Sequence, residues 1–353
     1  MTESLSDFIT TKEISVVQAM QKIDRGAKGI LFVVDDEKRL VGCVTDGDIR
    51  RWLIRTGDMK ARIDLFMSRK PRYLYSSDTV DPNLYMKENS ISAIPVLDID
   101  RRIINIHFRY GGQESIRRKN SELCGVPVVI MAGGKGTRLY PFTKILPKPL
   151  IPIGEIPILE RIIDRFVEYG AKEFYLTVNY KKGMIKSYFE DLNADYQVFF
   201  VEENEPLGTG GSLKLIERTF DRPLIVTNCD TLIDANLSDI YRRHLDSGNA
   251  ITVAAALKNT VIPYGVLKVK EGGVIEEIQE KPVLSNFINT GLYIVNPDLL
   301  DLIPDNTFYH MTNLLEDCMK KGLQVGMYPI SEEAFLDMGE FEEMKRMEKK
   351  LNV

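Results

Sequence analysis

Residues 133–138 read Gly-Gly-Lys-Gly-Thr-Arg and follow directly on an apolar run, 128–131. A buried strand that ends in a glycine turn points backbone N–H groups at one spot, which suits an anion. Glycine is needed there because phosphate oxygens must approach without a Cβ in the way. Arg138, and Lys148 in Pro147-Lys148-Pro149, add positive charge beside the turn. A P-loop needs Gly-Lys followed by Ser or Thr, and the dinucleotide fingerprint needs a third glycine where Leu139 stands, so neither fits. The ligand this pattern suits is a nucleoside triphosphate, with Gly133, Gly134, Gly136 and Thr137 lining it. The plainer alternative is a glycine turn with surface charges.

Carboxylates come next. Asp230 follows the apolar run 224–227, and Asp337 sits in Phe335-Leu336-Asp337-Met338-Gly339. A carboxylate at a strand end can hold Mg²⁺, which takes one or two carboxylates plus phosphate oxygens. Asp230 is equally readable as a helix N-cap and Asp337 as part of a turn. In Glu203-Asn204-Glu205-Pro206-Leu207-Gly208-Thr209-Gly210-Gly211, an acid and a glycine turn could meet a nucleobase, with Thr209 capping a following helix. Tyr264-Gly265, Glu280-Lys281 and Asn289-Thr290 set polar groups beside strand-like runs, as a sugar phosphate would require. Taken singly, each of those three is a hairpin turn with exposed charge.

The elements that must carry these residues alternate in type. Strands are expected at 128–131, 174–178, 197–201 and 224–227, and helices at 158–169, 182–192 and 211–219. That order predicts a mainly parallel α/β sheet whose ligands lie beyond the carboxyl ends of the strands. One more helix is expected over 340–351. The whole chain has 353 residues, 44% apolar, with 46 basic against 51 acidic residues and a net charge of −5. This allows two domains and argues against a nucleic-acid surface. The acidic start is no signal peptide, no run is long enough to span a bilayer, and a cytoplasmic location is expected. Four scattered cysteines lack Cys-x-x-Cys spacing, so neither zinc nor a disulfide framework is indicated.

The first third repeats itself. Residues 32–42 can be laid over 95–105, so that Asp35 falls on Asp98, Arg39 on Arg102 and Leu40 on Ile103. Each copy reads as a helix (15–23, then 78–88) followed by strand, acidic turn and strand. A twofold repeat suggests a pseudo-symmetric pair sharing one core. Residues 1–118, with copies at about 1–57 and 64–118, resemble a tandem CBS-domain pair, an α+β module that binds adenosine-type nucleotides. Gly42-Cys43-Val44-Thr45-Asp46-Gly47-Asp48 carries the resemblance, which implies that Thr45 and Asp48 hold a regulatory nucleotide. In the second copy Phe108 and Gly111 stand in their places, so that site looks degenerate. The alternative is a purely structural or dimer-forming module. Residues 119–126 read as a linker.

Residues 127–353, taken in order, resemble the sugar-phosphate nucleotidyltransferases, with a Rossmann-like fold. The resemblance implies that the 133–138 turn, Arg138 and Lys148 hold the triphosphate at the reacting centre. Asp230 and Asp337 would hold Mg²⁺; Glu203, Gly208 and Thr209 would meet the base. Tyr264, Gly265, Glu280, Lys281, Asn289 and Thr290 would meet the sugar phosphate, with Lys281 beside Arg138 and Lys148 as a catalytic cation. The implied reaction joins a sugar 1-phosphate to a nucleoside triphosphate and releases pyrophosphate. It needs cations and in-line alignment rather than a general base, because the attacking phosphate is already anionic. A carboxylate at Glu203 only accepts hydrogen bonds, matching guanine, so GTP is expected. A CBS pair ahead of such a transferase also resembles the glucosamine-1-phosphate guanylyltransferases of legionaminic acid biosynthesis. UTP, dTTP or CTP with another hexose or heptose 1-phosphate is the alternative, as is a non-catalytic nucleotide sensor. A homo-oligomer is expected.

Overall fold

The computed structural model describes residues 5–26, 28–109, 122–192, 194–351 and 353. Gly111, the end of the second repeat and residues 119–121 of the expected linker lie outside them. The described residues form two compact units: those of Met1–Ile116 together with Lys258–Asn286, and those of Arg117–Leu257 together with Phe287–Val353.

The first unit shows the duplication directly. Strand β1 (Ile9–Thr11) runs parallel to β2 (Ile30–Val34), reached through helix α1 (Val16–Gly26); β2 then pairs antiparallel with β3 (Leu40–Thr45), which leads into α2 (Asp46–Thr56). The second copy repeats this with β4 (Leu74–Tyr75), α3 (Pro82–Glu88), β5 (Ala93–Leu97) and β6 (Ile103–Phe108). Helix α3 starts later than the sequence pattern predicts, because Asp81 caps it and Pro82 takes the first position, where no N–H is needed. Even the irregularities match: the register slips between Val33 and Val34 in one copy and between Val96 and Leu97 in the other.

The acidic turns are built alike. The Asp35 carboxylate accepts from the Glu37 and Arg39 amides at 3.0 and 2.8 Å, and Asp98 accepts from those of Asp100 and Arg102 at 2.9 and 2.8 Å. Lys38 (φ 63°) and Arg101 (φ 65°) close the turns in the left-handed region. The tips also pair with each other, since the Leu40 amide donates to the Arg101 carbonyl at 3.0 Å. Phe8, Phe32 and Leu40 from one copy and Ala93, Leu97 and Ile106 from the other share a buried cluster. The second copy also has a small buried cluster of its own, Leu74, Met86 and Ile94.

In the second unit, β7 (Pro127–Met131) is buried throughout. After it come the short helix α4 (Phe142–Ile145), a hairpin of β8 (Pro152–Ile153) and β9 (Ile156–Pro157), α5 (Ile158–Val167), β10 (Glu173–Val178), α6 (Lys182–Glu190) and β11 (Gln197–Glu202). Then follow β12 (Leu224–Asn228), β13 (Thr231–Ile233), α7 (Leu237–Ser247) and β14 (Ile251–Val261). Beyond β14 lies the separate hairpin of β15 (Val266–Val269) and β16 (Ile275–Gln279), whose residues group with the first unit. The chain finishes with β17 (Val283–Val295), α8 (Met311–Lys320), β18 (Val325–Ile330), β19 (Phe335–Asp337) and α9 (Phe341–Leu351).

Seven strands form one sheet in the order β11-β10-β7-β12-β17-β14-β18, parallel across β11, β10, β7 and β12 and antiparallel from β12 to β17. Val128 and Ile130 face a core filled by α5, while Val129 and Met131 face the opposite one with Leu213 and Leu314. Burial on both faces is why these strands are continuously apolar. Successive strands wind outward from β7 to β11, and the chain then returns to β12 on the other side of β7. The gap between the carboxyl ends of β7 and β12 is therefore a topological switch point.

Two expectations are corrected. Leu123 and Val126 are fully buried in the second unit, so the described part of the expected linker is core. The helix expected over 211–219 is only a 3₁₀ turn, Gly211–Leu215, because the Gly210 and Gly211 amides both donate to the Tyr309 carbonyl at 2.9 Å.

His244, on α7, is 2% exposed. One ring nitrogen pairs with the Thr252 hydroxyl and the other with the Asn296 carboxamide, both at 2.9 Å. Burial lowers its pKa below 6.5 against the opposing Asn296 bond. The unfolded chain takes up that proton more readily, so stability is intact above about pH 6.5 and falls as the pH drops below it. Chemical denaturation at pH 7.5 and 5.5 should show this loss, and His244→Gln should reduce it. An equal loss in both proteins would remove His244 as its source.

Candidate active site

The turn after β7 lies at the switch point. Gly136 has φ 63°, and a Cβ there would lie 2.9 Å from the side chains of both Thr143 and Lys148. Glycine thus allows the turn to close onto Lys148, which is 7% exposed. Gly133, Gly134, Gly136, Thr137, Arg138 and Lys148 all line a cleft of about 440 Å³, together with Glu203, Gly208, Thr209 and Asp230. Residues as far apart in the chain as Gly133 and His310 therefore meet in one hollow.

Asp230 is followed by a strand rather than a helix, so it is not an N-cap. Strand β13 pairs antiparallel with β19, placing Thr231 opposite Asp337, and the Met338 amide donates to the Asp230 carbonyl at 2.8 Å. This pairing brings the carboxyl-bearing ends of two strands side by side. Asp230 makes an ion pair with Lys148, the two side chains being 15% and 9% exposed. Burial, then the Asp230 charge, push the Asp337 carboxyl above the usual carboxylate range, while Lys148 and Arg138 pull it back. A Cβ at Gly339 would lie 3.1 Å from an Asp337 oxygen and 3.2 Å from an Arg138 nitrogen, so Asp337 and Arg138 are neighbours as well. Two carboxylates and two cations form one cluster. The described residues hold no group of three or more His, Cys, Asp or Glu able to bind a metal. Two carboxylates suit Mg²⁺ when phosphate oxygens and water complete its shell.

Glu203 follows β11 and is 4% exposed. One carboxylate oxygen accepts from the Leu207 amide at 3.2 Å, and the other faces Gly133, whose Cβ would lie 2.7 Å from it. Burial raises its pKa; the opposing influences are the Leu207 bond and the nearby Thr177 and Ser212 hydroxyls, which lie close without forming hydrogen bonds. Glu203 thus braces the glycine turn and the 203–207 loop in addition to lining the cleft.

None of the sequence motifs includes residues 307–311, yet they reach the same cleft. The Tyr309 amide donates to the Leu207 carbonyl at 2.9 Å, and Thr209 accepts from the Met311 amide at 3.1 Å, capping α8 rather than the expected helix. His310 Nδ1 lies 3.3 Å from the Thr209 hydroxyl, and Phe308 and His310 both line the cleft. Gly208 (φ 78°) permits the approach, since a Cβ would lie 2.7 Å from the Tyr309 carbonyl oxygen. Gly208→Ala should cost about 2 kcal/mol or more of stability and weaken nucleotide binding, as read by thermal melting with and without GTP. Wild-type stability in that variant would show that the two loops are free to separate.

The expected sugar-site residues are not gathered in the cleft. Thr290, 2% exposed, donates its hydroxyl to the Ala254 carbonyl at 2.7 Å. Asn289 donates to the Tyr293 hydroxyl at 2.8 Å and accepts from the Gly291 amide at 3.0 Å. Tyr264, Gly265, Glu280 and Lys281 belong to the first unit, at the base of the β15–β16 hairpin. There a Cβ on Gly265 would lie 3.1 Å from the Glu280 carboxylate. A second hollow of about 560 Å³ lies beside residues 213–221, where Lys214 is paired with Asp301 and Arg218 with Glu173.

In the CBS-like unit, Thr45 and Asp48 form a capping box on α2: Asp48 accepts from the Thr45 amide at 2.9 Å and hydroxyl at 2.7 Å, and also pairs with Arg51. Burial pushes its carboxyl up, but these partners outweigh it and hold it low. These three bonds leave about one acceptor position on the carboxylate, so a ribose using both hydroxyls would have to displace Thr45 or Arg51 from the other.

Residues 127–352 match the family model described as Nucleotidyl transferase, and the chain belongs to that family. Residues 6–55 match the CBS domain model, so an α/β nucleotidyltransferase with a mixed, mostly parallel sheet follows an N-terminal CBS domain. Among its relatives, the mannose-1-phosphate guanyltransferase of Debaryomyces hansenii is 38% identical over 185 residues, 50% of this chain and 51% of that one. The mannose-1-phosphate guanylyltransferase catalytic subunit beta of Drosophila melanogaster is 34% identical over 195 residues, 51% of this chain and 53% of that one. This chain thus spans about half the length of the curated relatives it matches. The crystal structure of HddC from Yersinia pseudotuberculosis is 28% identical with a TM-score of 0.50, covering 64% of this chain and 99% of that one. Among the described residues, no helix is long and apolar enough to cross a membrane.

Proposed function

We propose that this chain transfers a nucleotidyl group from GTP to a sugar 1-phosphate, releasing pyrophosphate. The observation that carries this reading is the cluster of Asp230, Asp337, Lys148 and Arg138 beside the glycine turn. Joining two anions requires concentrated positive charge and fixed alignment; Arg138 and Lys148 would contribute two cations at the sheet end, and a divalent cation between the two carboxylates would supply the excess. Asp230 and Asp337 would hold Mg²⁺, which supplies neutralisation of phosphate charge when bound. Arg138 and Lys148 would grip the triphosphate. The names of the guanyltransferase relatives and the accept-only carboxylate of Glu203 support guanine as the base.

For the sugar, the CBS domain ahead of the transferase supports glucosamine 1-phosphate and a place in legionaminic acid synthesis; the relatives' names support mannose 1-phosphate as a second reading. A nucleotide bound at Thr45 and Asp48 would regulate the reaction in a cytoplasmic homo-oligomer. Pyrophosphate release from the purified chain, with GTP, UTP, dTTP and CTP against glucosamine, mannose and heptose 1-phosphates, tests base and sugar together. Release with no pair would leave a nucleotide sensor. Repeating the productive assay with added AMP tests regulation, and an unchanged rate would leave the module structural.

A further inference from the structure

We infer that Phe308 is a stacking platform for the purine base of the bound triphosphate, held in place by the pinned 307–311 segment; the inference rests on the transferase reading. Phe308 is 61% exposed, yet it lines the same cleft as Glu203, Pro206 and Gly208. Its ring meets His310 edge to face, with centroids 4.8 Å apart and planes at 81°. The backbone on its C-terminal side is fixed. Tyr309, next in sequence, is 8% exposed, hydrogen-bonded through its amide and carbonyl to the 207–211 loop and through its hydroxyl to Asp317 at 2.7 Å. An exposed aromatic ring on so constrained a backbone loses little freedom when a base stacks on it.

Stacking needs only a flat ring, and a two-ring base covers more of the phenyl face than a one-ring base. Phe308 therefore adds affinity for purines, while Glu203 offers hydrogen-bond acceptance. His310 is a positioning residue: its Nδ1 accepts from the Thr209 amide at 3.4 Å and ties the two loops together.

Equilibrium binding of GTP and of UTP to the full chain, without sugar phosphate, tests the platform. Phe308→Ala should weaken GTP binding about tenfold or more and UTP binding less, with an unchanged melting temperature, and Phe308→Tyr should restore GTP binding. Wild-type GTP affinity in Phe308→Ala would overturn the platform and leave the transferase reading standing. So would equal losses for both nucleotides that Tyr does not restore. If the wild-type chain binds no triphosphate, both readings fall.

Discussion

Asp230→Asn should reduce pyrophosphate release by at least about a hundredfold, with the far-ultraviolet circular dichroism unchanged. The carboxamide keeps the shape of the side chain but loses the charge that would hold a divalent cation. The strand pairing beneath it survives, because the bond from the Met338 amide uses the Asp230 carbonyl and not the side chain. The change also leaves Lys148, 7% exposed, without its ion-pair partner. A buried charge stripped of its partner destabilises. The variant should therefore melt below the wild type in magnesium-free buffer. Turnover at the wild-type level would remove Asp230 from the metal site and take the transferase mechanism with it.

Asp337→Asn should lose turnover to a similar degree, about a hundredfold, but shift stability the other way. Burial and the Asp230 charge raise the Asp337 pKa in the folded state. A carboxyl raised in this way is best tolerated when protonated; its contribution is lost as the pH rises through the folded value. At pH 8 the wild type carries the unfavourable charge and the Asn variant does not. The variant should melt higher than the wild type at pH 8 without magnesium, and the gap should close as the pH falls towards 4. Adding magnesium and GTP should raise the melting temperature of the wild type and of neither variant. Two substitutions at neighbouring strand ends that both stop the reaction, yet move stability in opposite directions, separate a shared cation site from general damage. A lower melting temperature for Asp337→Asn at pH 8 would show that Lys148 and Arg138 outweigh Asp230 there.

The sheet was legible in the sequence because its inner strands are buried on both faces. Runs such as 128–131 and 224–226 are apolar without alternation and are followed within a few residues by glycine or aspartate, so type and end could both be read. What failed was structure decided by distant partners. Residues 211–219 have the composition of a short helix, but the Tyr309 carbonyl captures two amides at its start, and only a 3₁₀ turn remains. Phe308 and His310 carry no local signal, since their place in the cleft depends on hydrogen bonds to a loop about a hundred residues earlier. Thr290 reads as a polar group beside a strand end, yet its hydroxyl is spent on Ala254 inside the sheet. The meeting of Asp230 with Asp337 was expected from the family resemblance; no spacing rule reveals that β13 and β19 are partners.

The joined tips of the duplicated turns limit how the first unit can diverge. Since the Leu40 amide reaches the Arg101 carbonyl, an extra residue in one tip would leave its counterpart facing the wrong atom. Length at the tips is therefore coupled between the copies, whereas side chains can differ even where the halves touch: Phe108, in the place of Thr45, packs on Phe8 of the other copy with ring centroids 4.6 Å apart.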